Sequence, residues 1–361
     1  MTNADAQLLP SMTALADWMC AIDGQSLPCL NAVRLHAGTQ NLMVLFDRGD
    51  SRFVLRQPPE HAIVPPLKIV SRETRVLRAL SESAVPHPQV FGLCTDDTLG
   101  SAFYVMSAAD GFNPTEGLPP SILANAQLQR RIGLSCIEAL FSLSRVDYQS
   151  VGLGDLGKPD GFLERQVARW QGQLASYAQF EGWGLEGAFL RVDEVGGWLS
   201  AHLPPARQPG LLHGDFHLGN VIFRSIDASV SAIIDWELAT IGDPLIDFGW
   251  LIATWPELDG QDSGSGISVP GATALASIED LITHYKTLSG DPLDHLTWYV
   301  VLACYKLGII QEGSWARALG GKADRSIGQL QHDRALALLR KAEGLIRDGV
   351  SNANNKENDH D

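Results

Sequence analysis

Between residues 211 and 251 aspartates fall beside apolar residues in "LLHGD", "SAIID" and "PLID", and Asp235 of "SAIID" ends an apolar strand. Carboxylates are seldom buried without a partner, so an acid closing an apolar strand belongs at the rim of a fold and not in its core. Asp235 should therefore reach a site at the rim of its strand. The turn "RSIDASV" between "NVIF" and "SAIID" makes the middle pair a β-hairpin ending at Asp235. Asp243 before Pro244 reads as a helix N-cap followed by a first-turn proline. Asp247 lies in a nearly all-apolar helical turn with Leu245, Ile246, Phe248 and Trp250, and nearby donors must satisfy its carboxylate.

Two chemistries compete for "LLHGDFHLGNVIF" (211–223). His213, Asp215 and His217 alternate, so an extended segment would point all three the same way, as a metal-dependent hydrolase would require. Catalytic zinc needs a further ligand and its supporting shell, and the other eight histidines show no paired spacing. The same stretch is also H-G-D-x-x-x-x-N, the catalytic-loop spacing of phosphoryl transfer. There Asp215 would accept a hydroxyl proton and Asn220 would hold Mg²⁺. A second metal-binding aspartate must then follow a short hairpin, and Asp235 does.

Nearer the front, "NLMVLFDRGDSRFVLRQ" (41–57) reads as a hairpin about a Gly49-Asp50 turn. A helix follows over 67–80, with Ile69, Val76, Leu77 and Leu80 on one face. Glu73 shares that apolar face. Burying it unpaired would cost roughly several kcal/mol, so a cationic partner is expected, and Arg56 at the end of the preceding strand is the natural one. "SAFYVM" (101–106) is a further strand, and "SAADGFNP" reads as a crossover to a mainly helical second lobe. There 162–174 places Phe162, Gln166, Trp170 and Leu174 on one stripe, and 327–346 repeats a similar apolar spacing. Gly, Ser and Asp in 257–272 predict an exposed, mobile loop.

With 361 residues the chain is long enough for two lobes, each with its own core. The longest apolar stretches, 248–255 and 298–305, are far shorter than the ~20 residues of a membrane span. The N-terminus lacks a basic start and an apolar core, so the reading is a cytoplasmic protein. Five cysteines without a CxxC pair agree with a reducing compartment. Of the net charge of −15, residues 107–361 carry nineteen Lys/Arg against thirty-two Asp/Glu, which disfavours nucleic acid and anionic membrane.

With "LLHGDFHLGNVIF" followed by "AIIDWELATIGDPLIDFGWL", the sequence resembles the aminoglycoside phosphotransferase family, a branch of the protein-kinase-like fold. Judged also from "FVLRQPP" (53–59), "SRETRVLRAL" (71–80), "FYVM" (103–106) and "FLERQVARW" (162–170), it is similar to the kinase-like domains associated with acyl-CoA dehydrogenases. The resemblance implies an α+β, bilobal protein-kinase-like fold: a small N-lobe with an antiparallel sheet and one helix, and a larger, mainly helical C-lobe. The expected division is a nucleotide-binding lobe over 1–106, a catalytic and substrate-binding lobe over 107–349, and a disordered tail over 350–361.

By the same resemblance Asp215 would be the catalytic base, and Asn220 and Asp235 would hold Mg²⁺. His213 and Asp247 would brace the catalytic loop. Arg56, paired with Glu73, would touch the α/β-phosphates of ATP, Gly38 would lie in the loop that covers them, and the backbone around Met106 would meet adenine. The acceptor would be a hydroxylated small molecule, aminoglycoside-like or a hydroxyacyl metabolite. Three departures are visible: Arg56 stands where most kinases have lysine, "HAGTQN" (36–41) has a single glycine, and Trp236-Glu237 replaces Phe-Gly. The first two motivate an alternative, a nucleotide-binding pseudokinase acting as sensor or scaffold.

Overall fold

The computed structural model describes residues 9–35, 41–59, 64–96, 98–184, 189 and 191–349. Gly38 and the 350–361 tail lie outside the described residues.

The chain opens with helix α1 (Met12–Asp23), capped by the Ser11 side chain and stopped by Gly24 in the left-handed region at φ 72°. Strands β1 (Leu30–Leu35), β2 (Leu42–Arg48) and β3 (Ser51–Gln57) follow, then helix α2 (Pro66–Ala79), β4 (Val90–Cys94) and β5 (Phe103–Ser107). They form one five-stranded sheet in the order β1-β2-β3-β5-β4, antiparallel throughout. The expected hairpin is present, with Arg48 opposite Ser51 across the Gly49-Asp50 turn.

Alternation along the strands assigns each sheet face its own cover. Val44, Phe46, Leu55, Phe103 and Val105 pack with Leu15 and Met19 of α1. Val54, Tyr104 and Met106 take the other face, in the core that holds Val70, Val76 and Leu77 of α2. Arg56 is two residues beyond Val54, so it shares the α2 face. The N-lobe thus carries α1 in addition to the one helix anticipated. Two arginines moor α2 on its far side: Arg72 donates to the Leu156 and Ala239 carbonyls at 3.1 and 2.6 Å, and Arg75 to the Gly152 carbonyl at 2.5 Å and to Asp155.

The larger lobe contains α3 (Pro120–Leu123), α4 (Ala126–Ser144), α5 (Glu164–Ala175) and α6 (Val192–Ala201). Strands β6 (Gly210–Leu212), β7 (Val221–Phe223), β8 (Val230–Ile233) and β9 (Thr240–Gly242) come next, then α7 (Leu245–Thr254), α8 (Ile278–Ser289), α9 (Leu296–Leu319) and α10 (Arg325–Asp348). The strands form two ribbons, β6 with β9 and β7 with β8. Helix α7 is buried at nearly every position. It meets α9 so closely that a Cβ on Gly249 would lie 2.7 Å from the Tyr299 carbonyl carbon. Among the described residues no helix is long and apolar enough to cross a membrane.

The 257–272 segment is a loop, as expected, and exposed at Glu257, Leu258, Asp259, Gln261, Pro270 and Gly271, but it is anchored between them. Val269 is fully buried, Gln311 of α9 donates to the Ser265 carbonyl at 2.8 Å, and Asp262 accepts the Gly264 and Gly266 amides. Its polar residues satisfy the segment's own backbone and fix it against the α9–α10 layer, so glycine and serine there mark tight turns.

Candidate active site

The loop from His213 to Asn220 joins β6 to β7, and backbone requirements explain its composition. Gly214 lies at φ +87°, and a Cβ there would come 2.5 Å from the Leu238 carbonyl oxygen, so only glycine fits. The adjoining amides are satisfied from α7. Asp247 accepts from the N–H groups of His213 at 2.6 Å and Gly214 at 2.9 Å. These are the donors its burial requires, although burial still raises its pKa.

His213, fully buried, sits 2.8 Å from the Ile234 carbonyl through Nε2 and 3.3 Å from the Asp215 N–H through Nδ1. A carbonyl only accepts, so Nε2 carries the proton and Nδ1 is free to accept. The Ile234 N–H in turn donates to the Asn220 carbonyl at 2.9 Å. The two aspartate-bearing segments are therefore stitched together at Ile234.

Asn220 donates through Nδ2 to the Asp215 carbonyl at 2.9 Å and to its Oδ2 at 3.2 Å, leaving the Asn220 Oδ1 for a cation. His217, to which sequence gave no task, accepts the Gly219 N–H at Nδ1 (3.0 Å) and turns Nε2 to Asp215 Oδ2 at 3.4 Å. Burial would raise the Asp215 carboxyl, but neighbouring His217, His213 and Lys306 outweigh it and hold the group at about 2. It is ionised at any physiological pH.

Arg56 lies at the junction of the lobes, with its side chain only 5% exposed. Its Nη2 is 2.7 Å from Glu73 Oε1, fully buried on α2, and 3.0 Å from both Asp235 and Glu237. The expected Arg56–Glu73 pair is present. The hydrogen bonds of Nη2, however, go to Asp235 and Glu237; the Arg56 contact with Glu73 is one of charge, and the Tyr104 hydroxyl also faces the Glu73 carboxylate. Burial pushes Glu73 upward and Arg56 opposes it. Glu237 is the member of this group that sequence left without a role.

Asp235 adopts a left-handed backbone at φ 66°, uncommon for a residue other than glycine and the kind of strain found at functional positions. The carboxylates of Glu73, Asp235 and Glu237 bring ligand atoms within 4.8 Å of one another. Arg56 Nη2 sits among the three, within 3.0 Å of each; of the expected metal ligands, Asp235 and Asn220 offer oxygen donors, which suit a hard cation such as Mg²⁺ and not zinc. Met106 lies within β5, opposite Val54 and Val90. The next two amides, of Ser107 and Ala108, are taken by the Gln89 and Arg52 carbonyls.

Residues 31–267 match the profile of the phosphotransferase enzyme family. The chain belongs to that family. A solved phosphotransferase-like chain from Ralstonia eutropha, assigned to the aminoglycoside phosphotransferases, superposes with a TM-score of 0.74 at 25% identity, over 93% of this chain and 99% of that one. A thermostable mutant of aminoglycoside phosphotransferase APH(4)-Ia, in ternary complex with AMP-PNP and hygromycin B, shares the fold at a TM-score of 0.60 and 17% identity, over 92% and 99% of the two chains. The fold is thus the bilobal, protein-kinase-like α+β fold.

Acyl-CoA dehydrogenase family member 11 of Gallus gallus is 30% identical over 306 residues, 83% of this phosphotransferase chain and 38% of the relative. The probable acyl-CoA dehydrogenase IBR3 of Arabidopsis thaliana is 31% identical over 303 residues, 79% and 36% of the two. The chain therefore spans under two fifths of the length of these relatives.

Proposed function

We propose that this phosphotransferase uses ATP and Mg²⁺ to phosphorylate a hydroxyl group of a small molecule. The observation that carries the reading is the Asp215 carboxylate, held by Asn220 and His217 in a loop stitched through Ile234 to the segment bearing Asp235. In this reading Asp215 orients the acceptor hydroxyl and takes its proton. A carboxylate of pKa about 2 is a weak base. That suffices where the transition state is loose and the proton leaves late. Asn220 and Asp235 hold Mg²⁺, which supplies positive charge to the phosphates; Arg56, steadied by Glu73, adds its own.

The backbone about Met106 flanks adenine. His213 and Asp247 hold the catalytic loop in place. The lobe junction falls at 106/107, separating a nucleotide-binding N-lobe from a catalytic C-lobe over 107–349. Neighbours solved with AMP-PNP or ADP and hygromycin B support a nucleotide and a hydroxylated acceptor. The acyl-CoA dehydrogenase relatives add hydroxyacyl metabolites to the acceptors worth trying.

The test is ADP release from Mg-ATP across a panel of aminoglycosides and hydroxyacyl thioesters, run with wild type and Asp215→Asn. At least one acceptor should stimulate the wild type, and the variant should lose about 10²–10⁴-fold in turnover, the span of a general base. Equal turnover by both proteins sinks the assignment. Tight nucleotide binding with no transfer to any acceptor favours the pseudokinase alternative.

A further inference from the structure

Lys306, in the middle of α9, lowers the Asp215 carboxyl and also touches the catalytic loop directly. Its Nζ donates to the Gly214 carbonyl at 3.0 Å, one residue before Asp215. The same ammonium lies 4.0 Å from the ring centroid of Trp250 on α7 and 5.7 Å from that of Trp170 on α5. Two indole faces thus flank the charge, an arrangement that attracts a cation strongly once water is excluded. The indole N–H groups of Trp170 and Trp250 are themselves buried without a partner. The donors here outnumber the acceptors, and one backbone carbonyl is the ammonium's sole hydrogen-bond partner among the described residues.

Charged groups reach Lys306 from each of these elements: Asp215 from the loop, Asp247 from α7 and Arg169 from α5. Burial lowers the ammonium to about 8, and the two aspartates resist the fall. A neutral donor would satisfy one carbonyl at far smaller cost than a desolvated ammonium. The charge is therefore the informative property, and the charge next to it is that of Asp215.

We propose that Lys306 is a positioning residue for phosphoryl transfer, its ammonium fixing the Gly214 carbonyl between α7 and α9 and offsetting the charge of Asp215 where the acceptor hydroxyl must sit. The inference rests on reading Asp215 as the base. Three anions would otherwise converge on this point: Asp215, Asp247 and the transferring phosphoryl group. Lys306 reduces their repulsion and keeps the Asp215 carboxylate in an accepting orientation.

Two measurements on the full chain test this separately from the reading beneath it. With ¹³C-labelled lysine, the Lys306 Cε resonance, assigned by its loss in Lys306→Met, should titrate near pH 8 and move to lower pH in Asp215→Asn. An unmoved midpoint overturns the coupling, whether or not the protein transfers phosphate. In steady-state kinetics with an acceptor from the panel, Lys306→Met should lower kcat about ten- to a hundredfold, the range of a hydrogen bond to a charged group, with the nucleotide KM within about threefold. The wild-type kcat should fall above pH 8, and Lys306→Arg should remove that alkaline limb while restoring part of the rate. A Met variant with wild-type kcat overturns the proposal. So does a limb retained in the Arg variant, or a loss of kcat matched by an equal loss of thermal stability and nucleotide affinity. If Asp215→Asn shifts the Lys306 titration and yet leaves turnover intact, the assignment of the base fails while the coupling stands.

Discussion

Asp247 accepts hydrogen bonds from two successive backbone N–H groups, those of His213 and Gly214. Both are charge-assisted, and both fix the loop just before Asp215. Asp247→Ala leaves the two amides buried and unpaired, so a loss of about 2–4 kcal/mol in urea unfolding is expected. Asp247→Asn, which keeps one acceptor, should fall between that variant and wild type. In both, turnover should fall further than nucleotide affinity.

Arg56 answers three carboxylates from two separate segments. Arg56→Met strands the fully buried Glu73, and a loss of about 3–5 kcal/mol is expected, the usual cost of removing one partner of a buried pair. Adding Glu73→Gln should recover part of the loss, because no uncompensated charge is then left. A double-mutant cycle on unfolding free energies reads this coupling, and strict additivity would refute it.

Gly214→Ala meets two obstacles at once, the left-handed φ and the Leu238 carbonyl oxygen 2.5 Å from the new Cβ. The strain of a non-glycine residue in such a conformation is about 1–3 kcal/mol before the clash is relieved. The variant should melt earlier and lose activity with the catalytic loop displaced. A melting temperature equal to wild type would show that the loop relaxes at no cost.

Arg130 of α4 binds Asp280 of α8 through two hydrogen bonds, at 3.2 and 2.7 Å. With the Ser277 cap they lower the Asp280 carboxyl from 3.8 to about 2. The folded chain therefore binds this proton less readily than the unfolded one. The stabilisation is complete above pH 4 and is lost as pH falls towards 2, amounting to about 1 kcal/mol at neutral pH once solvent screening is allowed for. Asp280→Asn should unfold more easily than wild type at pH 7, and the gap should close by pH 2. A gap independent of pH would mean that packing and not charge joins α4 to α8.

Asp215, Asn220 and Asp235 were legible because a hairpin links them within twenty-one residues of chain, so spacing alone sets their order. The Arg56–Glu73 pair was legible for another reason: an acid on an apolar helix face demands a cation, and the neighbouring strand ended in one. Asp243 shows the precision available. It was expected as the helix N-cap; Pro244 takes that position, while the Asp243 side chain still accepts from the Leu245 amide at 3.0 Å and also from the Tyr299 hydroxyl at 2.6 Å. Lys306 could not be found by pattern, because its partner lies ninety-two residues away and its face of α9 is ordinary in sequence. Glu237 was ambiguous for the same reason, since only the fold turns it towards Arg56.

The arginines on the outer side of α2 bear on how activity could be controlled. Arg72 and Arg75 tie the helix to carbonyls at Gly152, Leu156 and Ala239 and to Asp155. In protein kinases the helix bearing the equivalent glutamate is a control element, moved in and out to switch the enzyme. Here any such excursion would expose Glu73 and break a row of anchors in the opposite lobe. With Glu73 already against Arg56, control by swinging this helix would first have to break that row of anchors.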